Sequence, residues 1–202
     1  MMMAKMLGEG LIPVENHPLE PFLPANGRLL MLGSFPPQRK RWCMDFYYPN
    51  FTNDMWRMFG LVFFGDALRL VDVEKKTYRL AEIKALLNEK GIGLYDTACA
   101  VRRLQDNAAD KFLEVVTPTD IGALLARMPH CRAIATTGQK ATETLCAHFG
   151  VEAPKVGGYE TFMLHGEEFR LYRMPSTSRA YPLALAKKAE AYGRMMREVM
   201  GE

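Results

Sequence analysis

The sequence is poor in the residues from which metal and redox centres are built. Its four cysteines, Cys43, Cys99, Cys131 and Cys146, are widely spaced and form no C-x-x-C pair. That argues against a zinc or iron–sulfur site and leaves reduced, buried thiols as the expectation. The four histidines, His17, His130, His148 and His165, are scattered, and none falls at the end of an expected strand. They read as surface or core residues. No G-x-G-x-x-G follows the first apolar run, and there is no G-x-x-x-x-G-K-[ST] and no G-x-S-x-G. A dinucleotide cofactor, a phosphate loop and a nucleophile-elbow serine are therefore not indicated. Thr137-Gly138-Gln139-Lys140 reads as a plain strand-to-helix turn. No apolar run approaches the roughly 20 residues that cross a bilayer. Lys5, Gly8 and Glu9 interrupt Met1–Met6 before a signal-type stretch can form. A net charge of +3 does not by itself announce a nucleic-acid partner. The expectation is a cytoplasmic monomer with no cofactor, no metal and no membrane contact.

What is present is an ordinary globular balance, with 49% hydrophobic and 24% charged residues in a chain of 202. Apolar runs predict strands over 28–33, 92–96, 132–137 and 168–174. Helices are predicted from a Thr52 or Asn53 cap through Met55, Trp56, Met58 and Phe59, and over 79–90 (stopped by Gly91), 119–128, 139–149 and 181–200. Residues 1–26, with Pro13, Pro18, Pro21 and Pro24, read as an extended lead-in to a single domain over 27–202. Strands alternating with helices imply a three-layer α/β/α sandwich around a central four-stranded parallel sheet.

Two Pro-containing loops stand at the ends of the first and last strands. Leu29-Leu30-Met31-Leu32 breaks into Gly33-Ser34-Phe35-Pro36-Pro37, and Phe169-Arg170-Leu171-Tyr172-Arg173 breaks into Met174-Pro175-Ser176-Thr177-Ser178. Open α/β sheets place their sites at such strand ends, so the loops form one site only if the fold brings the two strands together. Positive charge lies beside both. Arg39-Lys40-Arg41 follows the first, and seven Arg or Lys against three Glu occupy residues 170–202. A solvated helix face explains the second cluster as readily as a phosphate-tracking surface does. Ser, Thr, Asn, Asp and aromatics around a loop-lined cleft suit a planar, polar ligand such as a nucleobase.

Four blocks in order resemble the uracil-DNA glycosylase superfamily, and most closely its hypoxanthine-DNA glycosylase branch, over roughly residues 17–200. His17-Pro18-Leu19 through Gly33-Ser34-Phe35-Pro36 is similar to that branch's opening segment and G-S-F-P-S motif. Phe46-Tyr47-Tyr48 through Asn53-Asp54-Met55-Trp56 is similar to its F-Y-Y…N-R-F-W segment. Gly91-Ile92-Gly93-Leu94-Tyr95-Asp96-Thr97 through Val101-Arg102 resembles the strand reading G-V-L-L-L-N…V-R in uracil-specific members. Met174-Pro175-Ser176-Thr177-Ser178 resembles L-P-S-T-S.

The resemblance implies a DNA glycosylase acting on DNA that contains a deaminated base, deoxyinosine first and uracil second. It implies that Asn53 orients water, that Phe46 stacks on the flipped base, and that Asp96 stands in for the base-reading Asn. Gly33, Ser34 and Phe35 would shape the base pocket. Ser176, Thr177 and Ser178 would grip phosphates, with Arg179 entering the minor groove or replacing the flipped base. A protonated Asp96 would read both an N–H and a carbonyl. Each role has a plainer alternative: a helix cap for Asn53, core packing for Phe46, a turn cap for Asp96, a surface loop for Arg179. Two departures matter. Phe35 stands where uracil-specific members carry a water-handling Asp or Asn, and Met174 where they carry His. They keep open a non-catalytic nucleic-acid or damaged-base binder with the same fold. An enzyme of free nucleosides fits less well, because such a ligand needs no basic flanks. No lysine stands at a motif position, so strand cleavage through a Schiff base is not expected.

Overall fold

A computed structural model of the chain describes residues 12–104 and 112–201. The interrupted Met1–Met6 run and the first part of the lead-in lie outside the described residues. In chain order the elements are β1 (Val14–Asn16), β2 (Leu29–Gly33), a 3-10 turn (Arg39–Arg41), α1 (Met55–Phe64), β3 (Val71–Asp72), β4 (Thr77–Tyr78), α2 (Leu80–Lys90) and β5 (Ile92–Asp96). Then follow β6 (Ala98–Arg103), β7 (Leu113–Pro118), α3 (Ile121–Ala126), β8 (Ala133–Thr137), α4 (Gln139–Phe149), β9 (Tyr159–Leu164), β10 (Glu167–Met174) and α5 (Leu185–Met200).

The central sheet has the order β5-β2-β8-β10-β9. Its first four strands are the four expected, and they pair in parallel. Both β2 and β8 are buried along their whole length, as a parallel strand covered on both faces must be. The expected four-stranded parallel sheet is corrected in one respect. β9 adds a fifth strand, antiparallel to β10, at the edge. It escaped the apolar-run criterion because an edge strand is half solvated: of its six residues only Phe162 is buried.

The chain steps from β2 to β5 in one direction and from β8 to β10 in the other. Right-handed crossovers then put α1 and α2 on one face of the sheet and α3 and α4 on the other. α5 packs on α1 and joins the first face. This gives the three layers. The direction of winding reverses between β2 and β8, and ligand crevices of open α/β sheets lie at that point.

A second, antiparallel sheet of β1, β6 and β7 was not expected. It takes up the lead-in: β1 pairs with β6, and Phe22 exchanges backbone hydrogen bonds with Leu94 at 3.0 and 2.8 Å. The described part of the lead-in is tied to the domain at β1 and at Phe22. The four cysteines carry free thiols, and burial pushes Cys131 up to about 11.

Candidate functional site

The two Pro-containing loops come to the same end of the sheet, on either side of the end of β8. β2 and β10 flank β8 on either side, so their ends stand two strand spacings apart, roughly 9–10 Å. Gly138, at the end of β8, holds the second loop: its N–H donates to Met174 C=O at 3.3 Å. It adopts φ 115°, where a side chain is strained, and a Cβ there would lie 3.7 Å from Ser176 Cβ.

On the first side, Gly33 and Asp96 are register partners at the ends of β2 and β5. Asp96 is buried, and its Oδ1 lies across Gly33, where a Cβ would stand only 2.3 Å away. Its Oδ2 is 2.8 Å from His17 Nε2. Asp96 therefore has one oxygen for a ligand, not two. Reading both an N–H and a carbonyl would need the second oxygen, which His17 occupies. A carboxylate taken this far out of water needs such a partner. Buried Tyr47 and Tyr95 complete the surroundings. Desolvation, with the Asp96 charge adding to it, holds both phenols well above their ordinary range, so both stay neutral.

Ser34 and Phe35 are both buried. The Phe35 ring packs edge-on to His17, with centroids 5.3 Å apart, and joins Ala98, Val101 and Leu113 of the second sheet. The Phe35 side chain is thus used in packing, which leaves its backbone for a ligand. Arg103, held bidentately by Glu15, donates to Pro36 C=O at 3.1 Å and fixes the loop from outside.

Phe46 is 5% exposed, stacked on Trp56 and capped by the Lys84 ammonium 5.2 Å from its ring. It packs in the core. The aromatic beside the ends of β2 and β8 is Tyr48, to which the resemblance assigns no role. Its hydroxyl lies 2.9 Å from Thr137 Oγ1 and 3.5 Å from the position of a Gly33 Cβ. It is held at φ 50°, a left-handed conformation costly for an aromatic residue and common at functional sites.

On the second side, Asn53 caps α1. Its Oδ1 accepts the Met55 N–H at 2.8 Å, and its own C=O accepts from Tyr78 and Arg57. The side-chain amide keeps its N–H donors for a ligand. Asn53 and Asp96 make no hydrogen bond with each other; Asn53 stands by the second motif and Asp96 by the first. Next to Asn53, the Asp54 N–H donates to Thr177 C=O at 2.9 Å, which places the second motif against the start of α1. The buried Asp54 carboxylate takes two cations. Lys188, fully buried on α5, donates to Oδ2 at 2.9 Å and to Ser178 C=O at 2.8 Å. Arg179, half exposed, donates to Oδ1 from Nε and Nη2 at 3.3 and 3.2 Å. Tyr192 of α5 donates to Pro175 C=O at 2.8 Å. Ser176 and Ser178 fold the loop on itself by accepting the N–H groups of Ser178 and Ala180. Met174 is 1% exposed and lies in the core.

The basic residues after 170 divide between the two ends of the sheet. Arg179 stands at the crevice, whereas Arg170 pairs with Glu198 at the opposite end, beside Arg28 and Arg132. Among the described residues no group of three or more His, Cys, Asp or Glu is arranged to hold a metal ion, and no helix is long and apolar enough to cross a membrane.

No protein-family model matches the chain, and no curated protein matches it either. A solved structure does. The chain is similar to a protein from Methanosarcina acetivorans, determined by NMR in solution and provisionally described as a uracil DNA glycosylase. The match has 24% identity and a TM-score of 0.59 over 93% of this chain and 99% of the other. The fold is shared.

Proposed function

We propose that this chain is a monofunctional DNA glycosylase that hydrolyses the N-glycosidic bond of deaminated bases, hypoxanthine first and uracil second. One observation carries the reading. The two motif loops stand at the same end of the sheet, with an acceptor, Asp96 Oδ1, beside the first and Asn53 beside the second. The likeness of fold to a protein described as a uracil DNA glycosylase supports it.

The nucleotide flips out of the duplex into the crevice. The base gives its ring N–H to Asp96 Oδ1, and the backbone of Gly33, Ser34 and Phe35 lines its pocket. As the C1′–N bond breaks, its electron pair leaves on the base and the sugar becomes oxocarbenium-like. A water held by the Asn53 amide adds to C1′ and then releases its proton to solvent. An amide is a poor base, which a dissociative transition state tolerates. Ser176, Thr177, Ser178 and Arg179 hold the flanking phosphates. Lys188 is committed to Asp54 and Ser178, so it is not available as a Schiff-base nucleophile.

The test uses duplexes carrying one deoxyinosine, or one uracil opposite G or A, followed by alkali, which cleaves abasic sites. Strand breaks with the wild type but not with Asn53→Ala or Asp96→Ala support the reading. A second reading, a damaged-base binder without chemistry, is favoured by Phe35 and Met174, both turned into packed cores. Salt-sensitive binding with no abasic product would establish it instead.

A further inference from the structure

His17 is the reason Asp96 has a single oxygen to offer. It follows β1, its N–H pairs with Cys99 C=O at 2.7 Å, and its side chain is 2% exposed. Its ring is boxed by Phe35, Tyr95 and Tyr47 at 5.3, 4.5 and 6.2 Å. Nε2 stands on Asp96 Oδ2. Nδ1 lies 2.9 Å from Leu19 C=O and 3.2 Å from Leu19 N–H, so the backbone satisfies it as donor or as acceptor. Three proton arrangements fit these distances: an imidazolium on a carboxylate, a neutral ring donating from Nε2, and a carboxylic acid donating from Oδ2 to Nε2. In each, the proton of the bond lies between Nε2 and Oδ2, and Oδ1 presents lone pairs only. Among the described residues no hydrogen bond reaches Oδ1.

We propose that His17 is a positioning residue that makes Asp96 a one-acceptor reader. The pocket then selects a base with a ring N–H on its pairing edge, the hypoxanthine and uracil class. It rejects a base with a ring-nitrogen lone pair there, the adenine and cytosine class. This rests on the glycosylase reading of the same site. In this chain an Asn in its place would take the His17 N–H on its own oxygen and turn its amide N–H toward the base, the reverse choice. A carboxylate held at Oδ2 offers an acceptor alone, and a lone pair brought against it is repelled and left unpaired.

Two variants separate holding from packing. His17→Phe keeps a ring in the aromatic box and removes the donor. His17→Gln gives up the ring and keeps an N–H for Oδ2. Free hypoxanthine, adenine, uracil and cytosine are titrated into ¹⁵N-labelled protein and followed at the Gly33 and Thr97 amides. Deoxyinosine excision and thermal unfolding are measured alongside. Wild type and His17→Gln should prefer hypoxanthine over adenine by roughly tenfold or more, the cost of one mispaired buried polar group. In His17→Phe the buried carboxyl has no donor beside it; once neutral it can carry its proton on either oxygen and offer donor or acceptor, so most of that preference should be lost. A merely structural role would weaken both bases alike and leave the ratio unchanged. If His17→Phe does not fold, Asp96→Asn gives the same reading: adenine should gain on hypoxanthine. Excision by the wild type with an unchanged ratio in these variants overturns the role of His17. Selective base binding without excision overturns the glycosylase reading and leaves His17 in place. Neither excision nor selective binding overturns both.

Discussion

Asp96 Oδ1 crowds the position that a Cβ on Gly33 would take. The two residues are register partners at the ends of parallel strands, and a Cβ on Gly33 would come within 2.3 Å of that oxygen. Gly33→Ala must therefore displace the carboxylate or the strand end. The expected stability cost is that of overpacking, about 1–3 kcal/mol. Excision of deoxyinosine should fall more steeply, by roughly a hundredfold, as for a group misplaced by about 1 Å. Thermal unfolding and single-turnover excision measured on one preparation check the difference.

Lys188 is buried without exposure and holds Asp54. Lys188→Met leaves a buried carboxylate short of a partner and should cost roughly 3–5 kcal/mol in urea unfolding. Combining it with Asp54→Asn should recover a large part of that loss. If Lys188→Met alone costs less than about 1 kcal/mol, the pair does not hold the loop.

Arg179 is more than half exposed, so its ion pair with Asp54 contributes little to stability. Arg179→Ala should leave the melting temperature nearly unchanged. If this side chain reaches a phosphate, duplex binding weakens and the slope of log K against log salt falls by about one. An unaltered slope removes Arg179 from the DNA interface.

Burial pushes the Tyr78 phenol up to about 12, and it raises Tyr47, Tyr95 and Tyr192 as well. A folded-state value above the unfolded one stabilises the fold in full below the unfolded value, and that stability is lost as pH rises through the folded value. The chain should hold its stability up to about pH 10 and unfold on the way to pH 12. Phenolate absorbance and circular dichroism should change together. Phenolate appearing well before unfolding would show that these tyrosines are not sealed.

Most of the central sheet was legible because a strand buried on both faces has to be written as a continuous apolar run, and Leu29–Leu32 and Ala133–Ile134–Ala135 are such runs. β9 could be found only from its turn. His165 and Gly166, with φ 51° and 81°, form the two-residue hairpin that joins it to β10. β1, β6 and β7 carry mixed patterns, since their small sheet is buried only in part. Of the candidate site, the glycines, Asp96 and Asn53 stand at strand and helix ends and could be picked by position. His17 could not, because its contact with Asp96 spans 79 residues. The signal was indirect: a carboxylate at the end of an apolar strand requires a partner. Lys188 was legible in retrospect. It shares a helical stripe with Tyr192, Met195 and Met196, all buried. Phe46 and Tyr48 differ by two positions, and the backbone turn at Tyr48 decides which ring reaches the strand ends.

Asp54 carries a single negative charge and two cations. Lys188 is enough to keep that buried charge compensated, so Arg179 is an exchangeable partner. A phosphate arriving at the crevice can take Arg179 over without stranding Asp54, and Lys188 still fastens Ser178 to the start of α1. On the proposed glycosylase function, DNA would meet an arginine already ordered, and only an exposed contact would be given up when the phosphate backbone binds.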